Sequence, residues 1–369
     1  MKKRILFITQ NLERTGSEMV LWTLLKNLTP DNYDIYVFCI REGELYKTLP
    51  KYIHKDISDK FSRNWSKRLF RRILKLVVRD PLTYQLNRIH KKFKADIWYV
   101  NTIAIPDVYE AAIQSGAKIV SHFHELPMAY SFISYNQMQR IIRNSDHIIG
   151  CSTAVCEKIK DMSHENVHLL HSFIDVNQVQ CERTISQTRI ELGYSNEDFI
   201  WAISGKTTLI KGIDFLIPLL NELPERTKIL WIGHEEQTGT YFYVKRTIEH
   251  RFPGKVLFIG EQKKYYYDYL NCANGFLLLS REDSFPLVMI EAAALGKPIV
   301  GFNSGGVKEF VDEDMGIVVD SWSVQDLAKA LNECQSGTFQ FNAEMIRQKA
   351  LVYDISKQVG NLEIILNLI

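Results

Sequence analysis

No run of about 18 consecutive apolar residues occurs anywhere in the chain, so no membrane-spanning helix is expected. No two cysteines are spaced as C-x-x-C or as metal ligands. The six present (Cys39, Cys151, Cys156, Cys181, Cys272 and Cys334) include several within apolar runs. That usage points to reduced, buried thiols in a cytoplasmic protein. Internal repeats, low-complexity segments and DNA-reading motifs are also missing, and no nucleic-acid partner is expected. A G-x-G-x-x-G after a strand is lacking too. "RTGSE" (14–18) has one glycine and "NSGGVKEF" (303–310) lacks the spacing, which argues against a NAD-dependent oxidoreductase. Net charge is nearly absent, at +2, but it is unevenly spread.

Between Lys60 and Lys94 twelve Lys/Arg stand against one acidic residue, Asp80, leaving about −9 for the rest of the chain. Within this stretch "KRLFRRILKLVV" (67–78) interleaves basic residues with Leu69, Phe70, Ile73, Leu74, Leu76 and Val77. A basic amphipathic helix of this kind suits an anionic membrane surface or a polyanionic partner. The alternative is a solvated face over an ordinary core stripe. The start, "MKKRILFITQ", is basic and then apolar. Its apolar run is short and polar residues follow, so a first β-strand is expected rather than a signal peptide.

A chain of 369 residues, 46% hydrophobic and 24% charged, is globular and too long for one core, so two domains are expected. Strand-like runs alternate with helical stretches at 4–9, 33–40, 95–102, 117–125 and 146–152. The alternation restarts at 198–205, followed by 227–233, 255–260, 274–280, 298–302 and 315–320. This pattern is α/β, two doubly wound halves with parallel sheets, and it suggests a ligand in the cleft between them at the carboxyl ends of the strands. The expected domains are 1–174 and 175–353. The tail 354–369 carries Ile355, Val359, Leu362, Leu366 and Ile369 on one helical face and is expected to pack back on the first domain.

The chemistry concentrates in "SREDSFPLVMIEAAALGKPIVG" (280–301). Its buried strand puts Arg281–Asp283 at a carboxyl end. Ser284 is a good N-cap, Pro286 suits a first turn, and Gly296 is a helix stop. Backbone N–H groups around Ser284, Phe285, Pro286, Leu287 and Val288 would form an anion site at the helix start. Glu291 lies one to two turns further in. That span suits a hexose at one end, a ribose at the other and a diphosphate over the helix start. The plainer alternative is a partly exposed helix residue.

In "GKTTLIKG" (205–212), Lys206 and Lys211 stand five apart on a loop after a strand, with Gly205 and Gly212 permitting close approach. Two ammonium groups on a diphosphate would stabilise the charge on a leaving group; plain solvation is the alternative. Gly16 before a helix would admit phosphate or sugar to backbone N–H groups, or simply make a turn. His124, with His122 and Glu125, admits three readings: metal cluster, core histidine, or hydrogen bond to a sugar. The last is expected. "DED" (312–314) mimics a metal-binding D-x-D, but it falls between a helix and a strand, where a solvated turn is the better account. No metal and no cofactor is expected.

Taken in order, these motifs resemble retaining glycosyltransferases of family 4, with the GT-B fold. "DSFPLVMIE" is similar to the family's E-x7-E segment, with Asp283 in the first position, and "GKTTLIKG" to its G-R/K-x4-K-G phosphate motif. "IGHEE" (232–236, with Gly233), "FIGEQ" (258–262, with Gln262) and "NSGGVKEFV" (303–311) match further landmarks. In the first half "RTGSE" resembles the glycine loop and "HFHE" (122–125) the histidine loop, while "HSFID" (171–175) stands where "NGID" is usual. The resemblance spans nearly the whole chain. It implies two Rossmann-like domains facing across a cleft, the first binding an acceptor and the second a nucleotide-sugar.

It further implies transfer of a hexose with retention at the anomeric carbon. A front-face mechanism fits, in which the departing diphosphate, stabilised by Lys206 and Lys211, takes the acceptor proton. Asp283 would orient sugar hydroxyls, Glu291 the ribose, and His124 the sugar near the reacting carbon. Asp in place of Glu at 283 shortens the reach by ~1.5 Å. The expected donor is a UDP-sugar, favoured over GDP. The expected acceptor is a saccharide or lipid-linked saccharide of cell-surface polysaccharide biosynthesis, met in the cytoplasm or at the inner membrane face. A UDP-sugar epimerase would lack the two motifs, and a phosphorylase needs a cofactor-bearing lysine motif that does not occur. A catalytically degenerate scaffold is suggested by Asp283 and Phe173 and opposed by the lysines and Glu291.

Overall fold

The first apolar run, Lys3–Thr9, has its last five residues fully buried, which requires cover on both faces of the sheet that contains it. The computed structural model describes residues 2–74 and 80–369. The chain divides into two compact units, Met1–Phe173 with Ile355–Ile369, and Ile174–Asp354.

In the first unit β1 is Lys3–Thr9, β2 Tyr33–Cys39, β3 His54–Ile57, β4 Ile97–Asn101, β5 Lys118–Phe123, β6 His147–Gly150 and β7 Val167–Leu169. They pair in parallel in the order β3-β2-β1-β4-β5-β6-β7. In the second unit β8 is Phe199–Ser204, β9 Thr227–Ile232, β10 Val256–Phe258, β11 Gly275–Leu278, β12 Ile299–Phe302 and β13 Gly316–Val319. Their order is β10-β9-β8-β11-β12-β13, again parallel. The architecture is therefore α/β with two doubly wound sheets. The strand order reverses between β1 and β4 in one unit and between β8 and β11 in the other. At these points the loops leaving adjacent strands diverge and leave a crevice at the carboxyl ends.

Trp201 of β8 and Trp231 of β9 are fully buried and pack with Leu216, Leu219, Leu327 and Leu331 from the covering helices. Strands β3 and β7 lie outside the runs expected from sequence. They are short sheet edges without a fully buried residue, so their composition stays polar. The closing helix Ile355–Leu368 buries Ile355, Gln358, Leu362, Ile365 and Leu366, and Lys3 Nζ donates to Leu366 O at 2.5 Å. Four of the six free cysteines are buried, Cys334 is half-buried and Cys181 exposed.

The basic stretch resolves into two helices of different character; its residues 75–79 lie outside the described residues. Helix Pro81–Phe93 is N-capped by Asp80 and buries Leu86 and Ile89, an ordinary core stripe. Helix Trp65–Leu74 instead exposes three apolar residues: Trp65 is 68%, Leu69 44% and Phe70 45% accessible. Lys67 pairs with Asp56 of β3 at 3.0 Å.

One backbone position governs how the loop after β8 meets β11. Gly212 has φ +75°, and a Cβ added there would lie 2.1 Å from the carbonyl oxygen of Leu279. Gly212→Ala is expected to cost about 2–3 kcal/mol through strain and displaced backbone. Thermal unfolding measures it; a melting curve superimposable on wild type would contradict this close approach.

Candidate functional site

The loop 205–212 leaves the carboxyl end of β8 and is tied down on its inner side. Thr207, which is buried, donates its N–H to His234 O at 3.0 Å, and its hydroxyl accepts the Glu236 N–H at 2.8 Å. Trp231 Nε1 donates to Gly205 O at 2.8 Å. Gly233 sits directly beneath, at φ +147°, where a Cβ would meet Gly205 O at 2.1 Å. These constraints fix the loop's backbone. Lys206 is 57% accessible and lies 3.9 Å from Glu236.

Lys211 meets Asp283. Its Nζ lies 2.5 Å from Asp283 Oδ2, and the same oxygen accepts from Ser280 Oγ at 3.0 Å. The Asp283 backbone is held as well, by Asp283 N donating to Ser304 O (2.8 Å) and Gly306 N to Asp283 O (3.2 Å). Arg281 braces the loop from below. It donates to Leu209 O at 2.6 Å, forms a two-pronged pair with Asp214 at 2.8 and 2.6 Å, and lies 4.1 Å from the Phe215 ring centroid. The sequence placed Arg281 at the carboxyl end of a buried strand but gave it no role.

The helix after Asp283 starts later than expected. It spans Leu287–Ala294 with Pro286 as N-cap and no side-chain cap bond, so Ser284 is not the cap. The reason is local: proline pushes the preceding residue out of the helical region, and Asp283 is already committed to a parallel bridge with Gly305. Phe285 is buried against Phe310 and Tyr353, so its ring faces the core. Leu287 and Val288 become the first helical residues, whose N–H groups have no partner within the helix. Gly296, at φ +73°, follows the end as expected.

Glu291 is half-buried and accepts from two phenols, Tyr266 at 2.9 Å and Tyr267 at 3.3 Å. Desolvation raises its pKa above the usual carboxylate value, with the two phenols acting against that shift. Neither tyrosine was anticipated. Gln262, also expected here, donates its amide to its own loop at Ile259 O.

At the carboxyl ends of β4 and β5 in the first unit, His124 Nε2 lies 3.0 Å from Asn101 Oδ1, whose amide nitrogen reaches Ser17 O at 3.4 Å. Burial lowers the His124 pKa to about 3, so its imidazole is neutral. Glu125 accepts the Thr102 hydroxyl and the His124 N–H, and burial raises its pKa. Thr102 adopts φ +130°, a strained conformation for a β-branched residue. Gly16 opens helix Gly16–Asn27, and a Cβ there would meet nothing within 4 Å, so surface space rather than packing surrounds it. His122 bonds to Tyr99 at 2.7 Å. Among the described residues no three His, Cys, Asp or Glu side chains are grouped to hold a metal ion.

The structure thus joins Lys211 to Asp283, seats Lys206 on the same loop, and anchors Glu291 separately. Gly16 and His124 belong to the first unit. The DED turn (312–314) lies after helix Val307–Phe310, exposed at all three positions.

Two family models match the chain: Glycosyltransferase Family 4 over residues 14–178 and Glycosyl transferases group 1 over 185–350. An N-acetyl-alpha-D-glucosaminyl L-malate synthase of Bacillus anthracis is 26% identical over 57% of this chain and 57% of its own. An alpha-galactosylglucosyldiacylglycerol synthase of Streptococcus pneumoniae is 26% identical over 63% of this chain and 66% of its own. The chain therefore matches less than two thirds of the length of these relatives. Among solved structures, Anabaena HepE in complex with UDP and glucose superposes with a TM-score of 0.82 at 19% identity, covering 100% of both chains. WaaG, a glycosyltransferase involved in lipopolysaccharide biosynthesis, gives 0.73 at 15% identity over 97% of this chain and 98% of its own. The fold is GT-B.

An unfolded histidine takes up its proton near pH 6.5, whereas folded His124 does so only near 3. Stability is therefore expected to fall as pH drops from 6.5 toward 3. NMR titration of the His124 ring should show no protonation between pH 5 and 8; an inflection near 6.5 would contradict a neutral imidazole.

Proposed function

The chain belongs to glycosyltransferase family 4, and on that premise we propose that it moves a hexose from a nucleotide-diphosphate sugar to a saccharide or lipid-linked saccharide. The process served is bacterial cell-surface glycolipid or polysaccharide synthesis. The observation that carries this reading is the contact of Lys211 with Asp283, at the junction of a rigid glycine-bounded loop and a helix start.

In the proposed reaction the bond between the anomeric carbon and the diphosphate oxygen breaks, and its electron pair stays with the diphosphate. Lys211, Lys206 and the N–H groups of Leu287 and Val288 stabilise the charge that develops there. The acceptor hydroxyl attacks from the face the diphosphate leaves, and its proton passes to the departing phosphate oxygen. Configuration is retained without an enzymic nucleophile. Asp283 accepts from sugar hydroxyls, Glu291 from the ribose, and neutral His124 hydrogen-bonds a sugar hydroxyl. The lysines and the helix start supply positive charge in place of a divalent cation, and no cofactor enters.

A uridine nucleotide is the favoured donor. The support is the likeness in fold to HepE, which is solved with UDP and glucose. A lipid-linked acceptor at the inner membrane face is supported by the outward-facing Trp65, Leu69 and Phe70 on a basic helix. It is also supported by the Streptococcus pneumoniae relative being an alpha-galactosylglucosyldiacylglycerol synthase. No helix among the described residues is long and apolar enough to cross a membrane, so contact would be peripheral. A degenerate scaffold would keep the fold without turning over donor.

Calorimetric titration with UDP, GDP and a panel of their sugars tests the donor. UDP is expected to bind, and Lys211→Ala to weaken it about tenfold or more through loss of a charged contact. Absence of binding to any nucleotide would move the reading to a scaffold. For the membrane, Arg71→Glu with Arg72→Glu is expected to abolish co-sedimentation with anionic phospholipid vesicles; unchanged sedimentation would remove the lipid surface as a partner.

A further inference from the structure

Glu291 is held from both of its oxygens. Tyr266 Oη donates to Oε2 at 2.9 Å and Tyr267 Oη to Oε1 at 3.3 Å. The two rings are consecutive in sequence and meet edge to face, with centroids 5.1 Å apart and planes at 63°. Behind them the Tyr266 hydroxyl lies 2.9 Å from Ser204 Oγ, the last residue of β8.

Proton counting orients this chain. A phenol has one proton, and an ionised carboxylate has none to give. Tyr266 must therefore donate to Glu291, and Ser204 must donate to Tyr266. Donors aligned in one direction polarise one another and strengthen the terminal bond. Burial and the neighbouring Glu291 carboxylate push the Tyr266 pKa well above 10, so the phenol keeps its proton throughout the working range.

A carboxylate offers about four lone-pair sites, two on each oxygen. One on each is occupied here by a phenol, which leaves one on each oxygen to accept from a ligand. Two acceptor sites on adjacent oxygens match a vicinal diol, in which two hydroxyls on neighbouring carbons both donate. A lone hydroxyl would fill only one.

We propose that Tyr266 and Tyr267 are positioning residues that preset the Glu291 carboxylate for a vicinal diol, making this chain selective for ribonucleotide over deoxyribonucleotide donors. The inference rests on the reading above that Glu291 meets the ribose. Ser204 is the remote end of the same device, coupling the strand that launches the phosphate loop to the carboxylate that reads the sugar of the nucleotide.

Calorimetric titration with UDP and 2′,3′-dideoxy-UDP separates the possibilities. Wild type is expected to prefer UDP by about a hundredfold, since two hydrogen bonds to a charged acceptor are lost with the diol. Tyr266→Phe keeps the ring and removes only the donor; it is expected to cut that preference about tenfold while leaving dideoxy-UDP affinity unchanged. Ser204→Ala, three hydrogen bonds from the ligand, is expected to shift the preference in the same direction by less. Equal weakening of both nucleotides in Tyr266→Phe would mark the tyrosine as merely structural and overturn the inference. A wild type that prefers UDP together with a Tyr266→Phe variant of unchanged preference would overturn it while leaving the ribose reading intact. A wild type that binds both nucleotides equally, or neither, would overturn the ribose reading and this inference with it.

Discussion

Parallel pairing is the constraint on which the rest of the molecule depends. A parallel strand cannot follow its neighbour through a tight turn; the chain must cross back over a face of the sheet, usually as a helix, before it pairs again. Within each sheet every strand therefore points the same way, and the loops that leave its carboxyl ends share one rim of that sheet. Where successive crossovers go to opposite sides, between β1 and β4 and between β8 and β11, no covering helix can sit over the rim. The residues placed there include Gly16 and Asn101 in the first unit, and the 205–212 loop and Asp283 in the second. Position along the topology, not proximity in sequence, brings Lys211 to Asp283.

That position has an electrostatic cost, which the second unit meets by pairing. Lys211 and Asp283 are only 28% and 12% accessible, so either charge alone would be poorly solvated. Paired with each other, and with Ser280 donating to the carboxylate, each has a counter-charge within reach. A diphosphate arriving at Lys211 would exchange one anionic partner for a more highly charged one, so the ammonium needs no fresh desolvation. Arg281 with Asp214 does the corresponding work for the loop's backbone, since its planar fork engages both carboxylate oxygens. These contacts are long-range in sequence, so the loop's geometry is only as stable as the sheet that carries both ends.

Much of this could be read from residue order, and the parts that could not have identifiable reasons. Continuous apolar runs such as Ile5–Ile8 and Gly275–Leu278 announce strands buried on both faces. "HKDI" and "VHL" do not, because an edge strand is half in water and needs no apolar run. The helix starts two residues later than expected because Ser284 satisfies the capping preference in isolation; only the bridge from Asp283 to Gly305 rules that geometry out. Lysines at fixed spacing in a glycine-bounded loop were legible as a phosphate motif. Tyr266 was not, because its meaning lies in Ser204 and Glu291, 62 and 25 residues away. Thr102 was equally silent, since a strained φ is a property of the folded strand end and not of threonine.

The two rims differ in chemistry in a way that bears on what each can bind. The second unit's rim presents two lysines, a helix start and a carboxylate whose oxygens are already half occupied by donors. The first unit's rim presents a neutral imidazole, an amide and a network of hydroxyl–carboxylate bonds around Glu125, with Glu18 nearby on helix Gly16–Asn27 and raising the Glu125 pKa further. A polyanion gains on the first of these surfaces and loses on the other. An uncharged polyhydroxyl ligand meets no such penalty on the first unit's rim, since carboxylates and imidazoles accept from hydroxyls without needing a counter-charge. On charge, then, a diphosphate would be favoured on the second unit's rim and disfavoured on the first. Binding in the wrong place is opposed by repulsion as well as by shape.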